Sequence, residues 1–449
     1  MKAMLAHLKA FKRSIIYLLA AVLVLGLAWI LPHSPFSVSI ESGKQDPGVA
    51  QANNAPPTPV ETQNLASLPP DATGATPAGP GDVYFLLRDA DGAGRLARLP
   101  GECVTGKTPC PEPETVQAPF DLRDLFLTAP ALMAWSPDAK YAALVTHPKD
   151  DLSKGSTPAE LQALKSQSPD QFKVAASTVY LFDAETSAWR ELYRLDRKYI
   201  YAPVWSANGQ WLAFAVRSSP WAFHPNQADD GVYVIHPDGS GLKQLSSADG
   251  VVLGWVGSSV AIQRRTKPYP ALDAAIELLS LNGGVTSLFT SARPALYQLS
   301  PDGGALLAID SGSEDNVIPL KAADVLALDG SITHSLGSFD NRTGVALGFW
   351  SPDSTLAGIS SLRRAYVSAA GGAPRQVYQA NDAYVEPSIP YMQFSRDNQF
   401  LLLSVWDGIP KLVIVSLEND QARTVTWGGI KPEDFDFSGQ TADYFSWQP

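Results

Sequence analysis

Basic residues are scarce in this chain. Residues 41–449 carry 30 Lys+Arg against 45 Asp+Glu, a net charge of −15. Phosphate backbones are bound by basic surfaces, so nucleic acid is excluded as a partner. Flat contact with anionic lipid is disfavoured for the same reason. Long apolar runs are also missing after residue 31, so the chain crosses a membrane once at most. Cysteine is limited to Cys103 and Cys110, with six residues between them and no histidine nearby. That is too few ligands for a thiolate metal site. From residue 81 onward the histidines are His147, His224, His236 and His334, and none sits in a His-Glu-x-x-His pattern. No Gly-x-Ser-x-Gly elbow is present either. The run Asp310 to Asp315 is acidic but lacks the spaced ligands of a calcium loop. The reading is therefore a protein with no catalytic motif, no metal site and no cofactor.

The one long apolar run is Ile15–Leu31, 17 residues ending at Pro32 and preceded by Lys2, Lys9, Lys12 and Arg13. At about 1.5 Å per residue it just spans a bilayer core. The flanking cations place the N-terminus inside and the bulk of the chain outside. The expected order is a short cytoplasmic tail (1–14), a signal anchor (15–32), a disordered linker (33–80) and a folded domain (81–449). The rival reading is a cleaved signal peptide; no clear small-x-small site follows the run, which is long for that role. The linker holds Pro56, Pro57, Pro59, Pro69, Pro70, Pro77 and Pro80 among Ala, Thr, Gln and Gly. Such a stretch buries too little apolar surface to fold, and its prolines stiffen it. Outside the cytoplasm, Cys103 and Cys110 read as one loop-closing disulfide.

The folded part is organised around one repeated unit. Leu347 to Ile359 reads as a strand, a Ser351-Pro352-Asp353 turn and a second strand. The turn recurs at Ser136-Pro137-Asp138, Ser206-Ala207-Asn208, Ser300-Pro301-Asp302, Ser395-Arg396-Asp397 and Phe437-Ser438-Gly439, with a degenerate copy at Gly254–Ser258. Aligning the residue before each turn gives Trp135, Trp205, Trp255, Leu299, Trp350, Phe394 and Phe437, spaced by 70, 50, 44, 51, 44 and 43 residues. Short strands repeating every ~40–50 residues indicate a β-propeller. The Tyr-bearing strands at Asp82–Arg88 and Asp230–His236, each followed by a Gly-containing turn and a short strand, complete a four-stranded unit. The expectation is an all-β propeller of seven blades, with six or eight as the neighbouring counts. The ring closes by pairing strands three and four from the N-terminus (83–99) with strands one and two from the C-terminus (434–447).

The Trp-Ser-Pro-Asp turn followed by an apolar strand and a Val-Tyr-bearing strand resembles the TolB-type, WD-like propeller repeat. It is also similar to the propeller of prolyl-oligopeptidase-like proteins, without their hydrolase domain. The resemblance covers about residues 83–449 and implies fold far more than function, because propellers host many functions.

The long segments, at 100–130, 147–176, 217–230, 264–275, 310–324, 363–365 and 379–390, are expected to open on one end of the propeller. A helix is expected from Ser156 to about Ser166. Binding residues concentrate on such loops. The candidates are His147, Trp221, His224, Arg264, Arg265, Arg363, Arg364, Trp406 and Asp407, with Arg217 and Asp310 nearby. Paired guanidinium groups suit carboxylate or phosphate recognition; the bland alternative is solvated charge on an acidic surface. Trp221 and Trp406 are candidate aromatic anchors, or rim residues folded back on themselves. The other early tryptophans read as inter-blade packing. The expected role is a membrane-anchored, extracytoplasmic module that binds a protein or cell-envelope polymer. The alternative is a hydrolase or lyase on a glycan or peptide, with its site in the central channel.

Overall fold

A computed structural model describes residues 79–449, apart from 89–93, 121, 123–131, 148–175, 197, 219–229, 248–249, 266–273, 293–294, 311–319, 341–346, 362, 370–371, 381–387, 407–409, 430–440 and 449. Its smallest repeated unit is the Ser-x-Asp turn. Ser136 Oγ donates to Asp138 Oδ1 at 2.6 Å and accepts the Tyr141 amide at 2.9 Å. The Ala139 amide closes the turn on the Ser136 carbonyl at 2.9 Å. The same serine-to-carboxylate bond forms at Ser300–Asp302 (2.6 Å), Ser351–Asp353 (2.7 Å) and Ser395–Asp397 (2.6 Å). At Ser206 the acceptor is the Asn208 amide oxygen, 2.8 Å away. Five otherwise orphaned chain reversals thus satisfy their own polar groups. The next residue enters left-handed backbone, with φ of 59° at Ala139, 73° at Gly303 and 64° at Ser354.

The turns join strands into seven four-stranded antiparallel sheets among the described residues. Blade 1 holds β1 (Val83–Arg88), β2 (Gly94–Leu99) and β3 (Glu114–Val116), with a four-residue helix α1 (Gly101–Val104) between the last two. Blade 2 holds β4 (Ala134–Trp135), β5 (Tyr141–Thr146), β6 (Ala176–Asp183) and β7 (Ala188–Asp196). Blade 3 holds β8 (Tyr199–Trp205), β9 (Leu212–Arg217), β10 (Gly231–Ile235) and β11 (Lys243–Ser246). Blade 4 holds β12 (Val251–Val256), β13 (Ser259–Arg265), β14 (Ala274–Ser280) and β15 (Val285–Ser291). Blade 5 holds β16 (Ala295–Leu299), β17 (Ala305–Asp310), β18 (Leu320–Ala327) and β19 (Ile332–Asp340). Blade 6 holds β20 (Leu347–Trp350), β21 (Leu356–Ser361), β22 (Arg364–Ala369) and β23 (Arg375–Gln379). Blade 7 holds β24 (Ser388–Phe394), β25 (Phe400–Trp406), β26 (Pro410–Ser416) and β27 (Ala422–Thr424). The last strand, β28 (Thr441–Trp447), pairs with β1 and completes blade 1.

The core lies between blades, where both faces of the middle strands are apolar. Phe214 and Ile200 of blade 3 pack with Val179 and Leu181 of blade 2, and Trp255 and Ile262 of blade 4 pack on Tyr201 and Val234 of blade 3. Blades 4 and 5 meet at Ile276 and Leu306, and blades 5 and 6 at Leu307 and Ile359. One cluster joins blades 6, 7 and 1 through Phe349, Met392 and Phe445. Tyr84 and Phe182 then join blade 1 to blade 2, which closes the ring. Indole N–H groups bond across the same interfaces. Trp205 Nε1 donates to the Ala134 carbonyl (2.8 Å), Trp255 Nε1 to the Val204 carbonyl (3.1 Å), and Trp350 Nε1 to the Gln298 carbonyl (3.2 Å).

Ring closure differs from the expected two-plus-two. The N-terminal segment supplies strands two, three and four of blade 1, and the C-terminus supplies only the inner strand. The seventh residue of the aligned series is Trp447, 53 residues after Phe394, rather than Phe437. Trp135 Nε1 donates to Ser446 Oγ at 2.8 Å, just as the other indoles reach the residue before the aligned one in the preceding blade. Phe437 and the strand read at 434–438 lie outside the described residues.

Cys103 and Cys110 are bridged. The bridged segment leaves β2 at the turn end, rather than joining the long loops, because β2 is the third strand of its blade. It lies along blade 7. The Arg423 guanidinium donates to the carbonyls of Cys103 and Val104, and the Gly428 amide donates to the Cys110 carbonyl at 3.3 Å. Among the described residues no helix is long and apolar enough to cross a membrane. The run Ile15–Leu31, the linker as far as residue 78 and the helix expected at 156–166 lie outside the described residues.

Candidate functional site

In an antiparallel meander the chain reversals alternate between the two ends of the sheet. The Ser-x-Asp turns, with Asn208 in place of the aspartate in blade 3, occupy one end of every blade from 2 to 7 except blade 4, where Gly257-Ser258 links β12 to β13. The links from second to third strand, and from each blade to the next, occupy the other end. This long-loop end carries those candidates from the sequence that fall among the described residues.

His147 follows β5 and is buried, 5% exposed. Its Nε2 lies 2.9 Å from the Ile200 carbonyl oxygen of blade 3, and Tyr199 and Tyr201 meet the ring edge-on at 5.3 and 5.9 Å between centroids. Burial pushes the imidazole down to about 4, so it is neutral at physiological pH. Here it joins blades 2 and 3. Arg217, at the end of β9, lies over the Tyr201 ring at 5.3 Å and donates to the Gly250 carbonyl at 3.2 Å.

Beside it sits a polar cluster that the sequence reading did not single out. Lys198 Nζ donates to Asp230 Oδ1 at 2.8 Å and to Ser218 Oγ at 2.6 Å, and Ser218 Oγ donates to the same Asp230 oxygen at 2.7 Å. Lys198 opens blade 3, whereas Ser218 and Asp230 flank the link from β9 to β10. Nothing in the local sequence of any of the three announces the others; only the strand register places them together.

The two arginine pairs are not brought onto neighbouring blades. Arg264 and Arg265 end β13 in blade 4, Arg363 precedes β22 and Arg364 opens it in blade 6, and blade 5 lies between. Arg264 is gripped by Glu277 of its own blade through two bonds, Nε to Oε2 at 2.9 Å and Nη2 to Oε1 at 2.6 Å. Glu277 is 7% exposed, so this pair is set into the flank of the blade. The Arg363 carbonyl accepts the Ala380 amide at 2.7 Å, and Arg364 is exposed. Asp310 accepts the Ala322 amide at 3.1 Å and closes the base of the β17–β18 link. Trp406 ends β25 opposite Ser388 and Pro410 and is 55% exposed, a large solvated area for an indole. Trp221, His224 and Asp407 lie outside the described residues. Among the described residues no group of three His, Cys, Asp or Glu side chains is placed to hold a metal ion.

These sheets define a seven-bladed β-propeller of four-stranded blades. The chain is similar to TolB from Acinetobacter baumannii, at 16% identity and a TM-score of 0.40, over 66% of this chain and 65% of that one. It is similar to oligogalacturonate lyase from Vibrio parahaemolyticus, at 13% identity and a TM-score of 0.42, over 74% and 77%. It is similar to a prolyl endopeptidase at 9% identity and a TM-score of 0.49, over 82% of this chain and 49% of the enzyme. The match thus spans under two thirds of that TolB chain. These likenesses concern the fold, and the assignment rests on the chain's own sheets. No family model and no curated protein matches the sequence.

Proposed function

We propose that this chain is a membrane-anchored, extracytoplasmic binding module that engages a protein or cell-envelope polymer through its long-loop end. The observation that carries the reading is Trp406, which ends β25 with more than half its surface in water. A solvated indole at an element's end is a binding anchor, because a partner that covers it removes a large apolar area. Three ionisable groups at the same end are engaged in holding the fold. Lys198 is committed to Asp230, Arg264 to Glu277, and His147 to the blade 2–3 junction. The apolar run Ile15–Leu31 with its preceding cations supports the anchor, and the Cys103–Cys110 bridge supports an oxidising compartment.

The alternative is an enzyme. One observation favours it: Ser218 has a lysine amine 2.6 Å from its hydroxyl. A Ser-Lys pair activates a nucleophile only when the amine is neutral. The Lys198 amine is also bonded to the Asp230 carboxylate at 2.8 Å, which weighs for the binding reading.

The test is capture of partners from detergent-solubilised membranes with the full chain, comparing wild type with Trp406→Ala. Loss of partners from a variant with an unchanged circular dichroism spectrum supports the reading; retention of the same partners removes Trp406 from the interface. In parallel, the full chain resists alkaline extraction from membranes if residues 15–32 anchor it, and is released if they do not.

A further inference from the structure

Five described hairpin turns carry Asn-Gly or Asp-Gly, at Asn208, Asp238, Asn282, Asp302 and Asp329. Their backbones agree. The glycine amide donates to the carbonyl three residues earlier in each: Gly209 to Ser206, Gly239 to His236, Gly283 to Ser280, Gly303 to Ser300 and Gly330 to Ala327, at 2.8–3.0 Å. Every one of these glycines has positive φ, between 68° at Gly209 and 89° at Gly239. The side chains do not agree. In four of the turns the amide two residues on holds the Asn or Asp Oδ1: Gln210 to Asn208 at 3.1 Å, Ser240 to Asp238 at 2.8 Å, Gly304 to Asp302 at 3.0 Å and Ser331 to Asp329 at 2.9 Å. Asn208 is held further, since its Oδ1 accepts the Ser206 hydroxyl at 2.8 Å and its Nδ2 donates to Gln210 Oε1 at 3.3 Å. Asn282 is the exception. The Gly284 amide, which stands where the holding amide stands in the other turns, donates to Ser280 Oγ at 2.9 Å. At Gly304 a serine hydroxyl also shares the amide, at 3.1 Å, but does not displace Asp302. Among the described residues the Asn282 side chain has no hydrogen-bond partner, and the residue is exposed.

We propose that Asn282 is a site of spontaneous deamidation in the folded chain, and that Asn208, its counterpart in sequence, is protected. Glycine places no Cβ beside its own amide nitrogen, so the nitrogen after an asparagine reaches the side-chain carbonyl most freely when glycine follows. The Gly283 nitrogen attacks Asn282 Cγ. An N–Cγ bond forms, the Cγ–Nδ2 bond breaks, and ammonia leaves with the amide proton. Water then opens the cyclic imide at either carbonyl, which gives aspartate or isoaspartate and consumes nothing else. The attack needs the Asn side chain to rotate toward the backbone. Asn208 must first release three hydrogen bonds, and Asn282 releases none. The three aspartates are shielded again by charge, because a carboxylate repels a nucleophile. The turn has room for the longer isoaspartyl backbone, since a Cβ at Gly283 would meet no atom within 4 Å. The product adds a negative charge to an already acidic chain. The turn joins β14 to β15 at the end of the blade opposite the long loops, so the modification is independent of the binding role proposed above.

The experiment is timed incubation of the purified full chain in mildly alkaline buffer. The chain is then digested in acid, and the peptides around both asparagines are read by mass spectrometry for replacement of NH2 by OH. A hydrogen bond of ordinary net strength slows the attack about fivefold, so Asn282 is expected to convert about a hundredfold faster than Asn208. In urea neither side chain is held, and the two rates are expected to come within about threefold of each other. Equal conversion in the folded chain overturns the proposal, because the side-chain bonds then decide nothing. An Asn282 that converts in urea but not in the folded chain also overturns it, because the turn itself is then protective. A second check is Ser280→Ala, which returns the Gly284 amide to Asn282 and is expected to slow its conversion about fivefold. An unchanged rate in that variant overturns the explanation from Ser280.

Discussion

Replacing His147 tests how tightly blades 2 and 3 are joined. The imidazole is buried against Tyr199, Tyr201 and the Ile200 carbonyl, and burial takes its pKa from 6.5 to about 4. Because the folded value is depressed, the unfolded chain holds a proton in that window that the folded chain lacks. Stability is therefore fully present above about pH 6.5 and is lost as pH falls toward about 4. Each pH unit in the window costs about 1.4 kcal/mol, so the whole descent removes about 3 kcal/mol. Urea unfolding followed by tryptophan fluorescence measures this at steps between about pH 7 and about pH 4. His147→Gln carries no titrating group and keeps an amide that reaches for the Ile200 carbonyl. Carboxylates elsewhere titrate equally in both proteins and cancel in the difference. Wild type is expected to lose about 3 kcal/mol more than the variant across the window. Parallel slopes would refute the reasoning, because they require an imidazole that is solvated in the folded state.

Further outcomes are expected for the disulfide, the turns and the arginines. Cys103→Ser with Cys110→Ser opens a loop of sequence separation 7; loop entropy sets the loss at about 2.5 kcal/mol, and calorimetry is expected to show Tm lowered by about 3 °C. Gly303→Ala places a Cβ 2.6 Å from the Trp255 carbonyl oxygen at a φ of 73°, and denaturant titration is expected to show a loss of about 2 kcal/mol or more. Ala139→Gly at the equivalent position, with φ of 59°, is expected to be neutral or stabilising by under about 1 kcal/mol. Arg264→Ala leaves Glu277 buried without its guanidinium and is expected to cost about 1–2 kcal/mol, given that Arg264 is a third exposed. Arg364→Ala, at an exposed strand start, is expected to stay within about 0.5 kcal/mol by the same titration.

The blade repeat was legible because the Ser-x-Asp turn is local: serine, carboxylate and closing amide all fall within six residues. The misplaced repeat occurred where locality fails. The turn after Trp447 is split between the two chain ends, with the Gln448 amide on the Asp82 carbonyl and Trp447 Nε1 on the Gly81 carbonyl. No contiguous motif marks it. Phe437-Ser438-Gly439, which resembles the motif, took its place in the alignment. The strand assignment at 83–99 slipped for a related reason. Asp82-Val83-Tyr84 matches Asp230-Gly231-Val232-Tyr233, yet β1 is a second strand and β10 a third. Both are middle strands covered on two faces, so both read as apolar runs with one tyrosine, and composition does not separate them.

The candidate site was less legible, because side-chain type reveals what a residue is able to do but not what already occupies it. Arg264 and Arg364 look alike in sequence. The register sets Arg264 opposite Ala275, so Glu277 two residues on lies on the same face and captures the guanidinium. Arg364 stands opposite Ser361 on β21. A histidine after a second strand reads as a loop ligand, yet the inner strand of the next blade, Tyr199-Ile200-Tyr201, buries His147. Lys198, Ser218 and Asp230 show the converse, three ordinary residues joined only by the meander. Trp406 separates from the other tryptophans on the same grounds. Trp135, Trp205, Trp255 and Trp350 end inner strands, where the neighbouring blade supplies an acceptor for the indole N–H. Trp406 ends a second strand at the opposite end of its blade and lies more than half in water. Its area is therefore open to a partner in a way that the inner indoles, already bonded across the ring, are not.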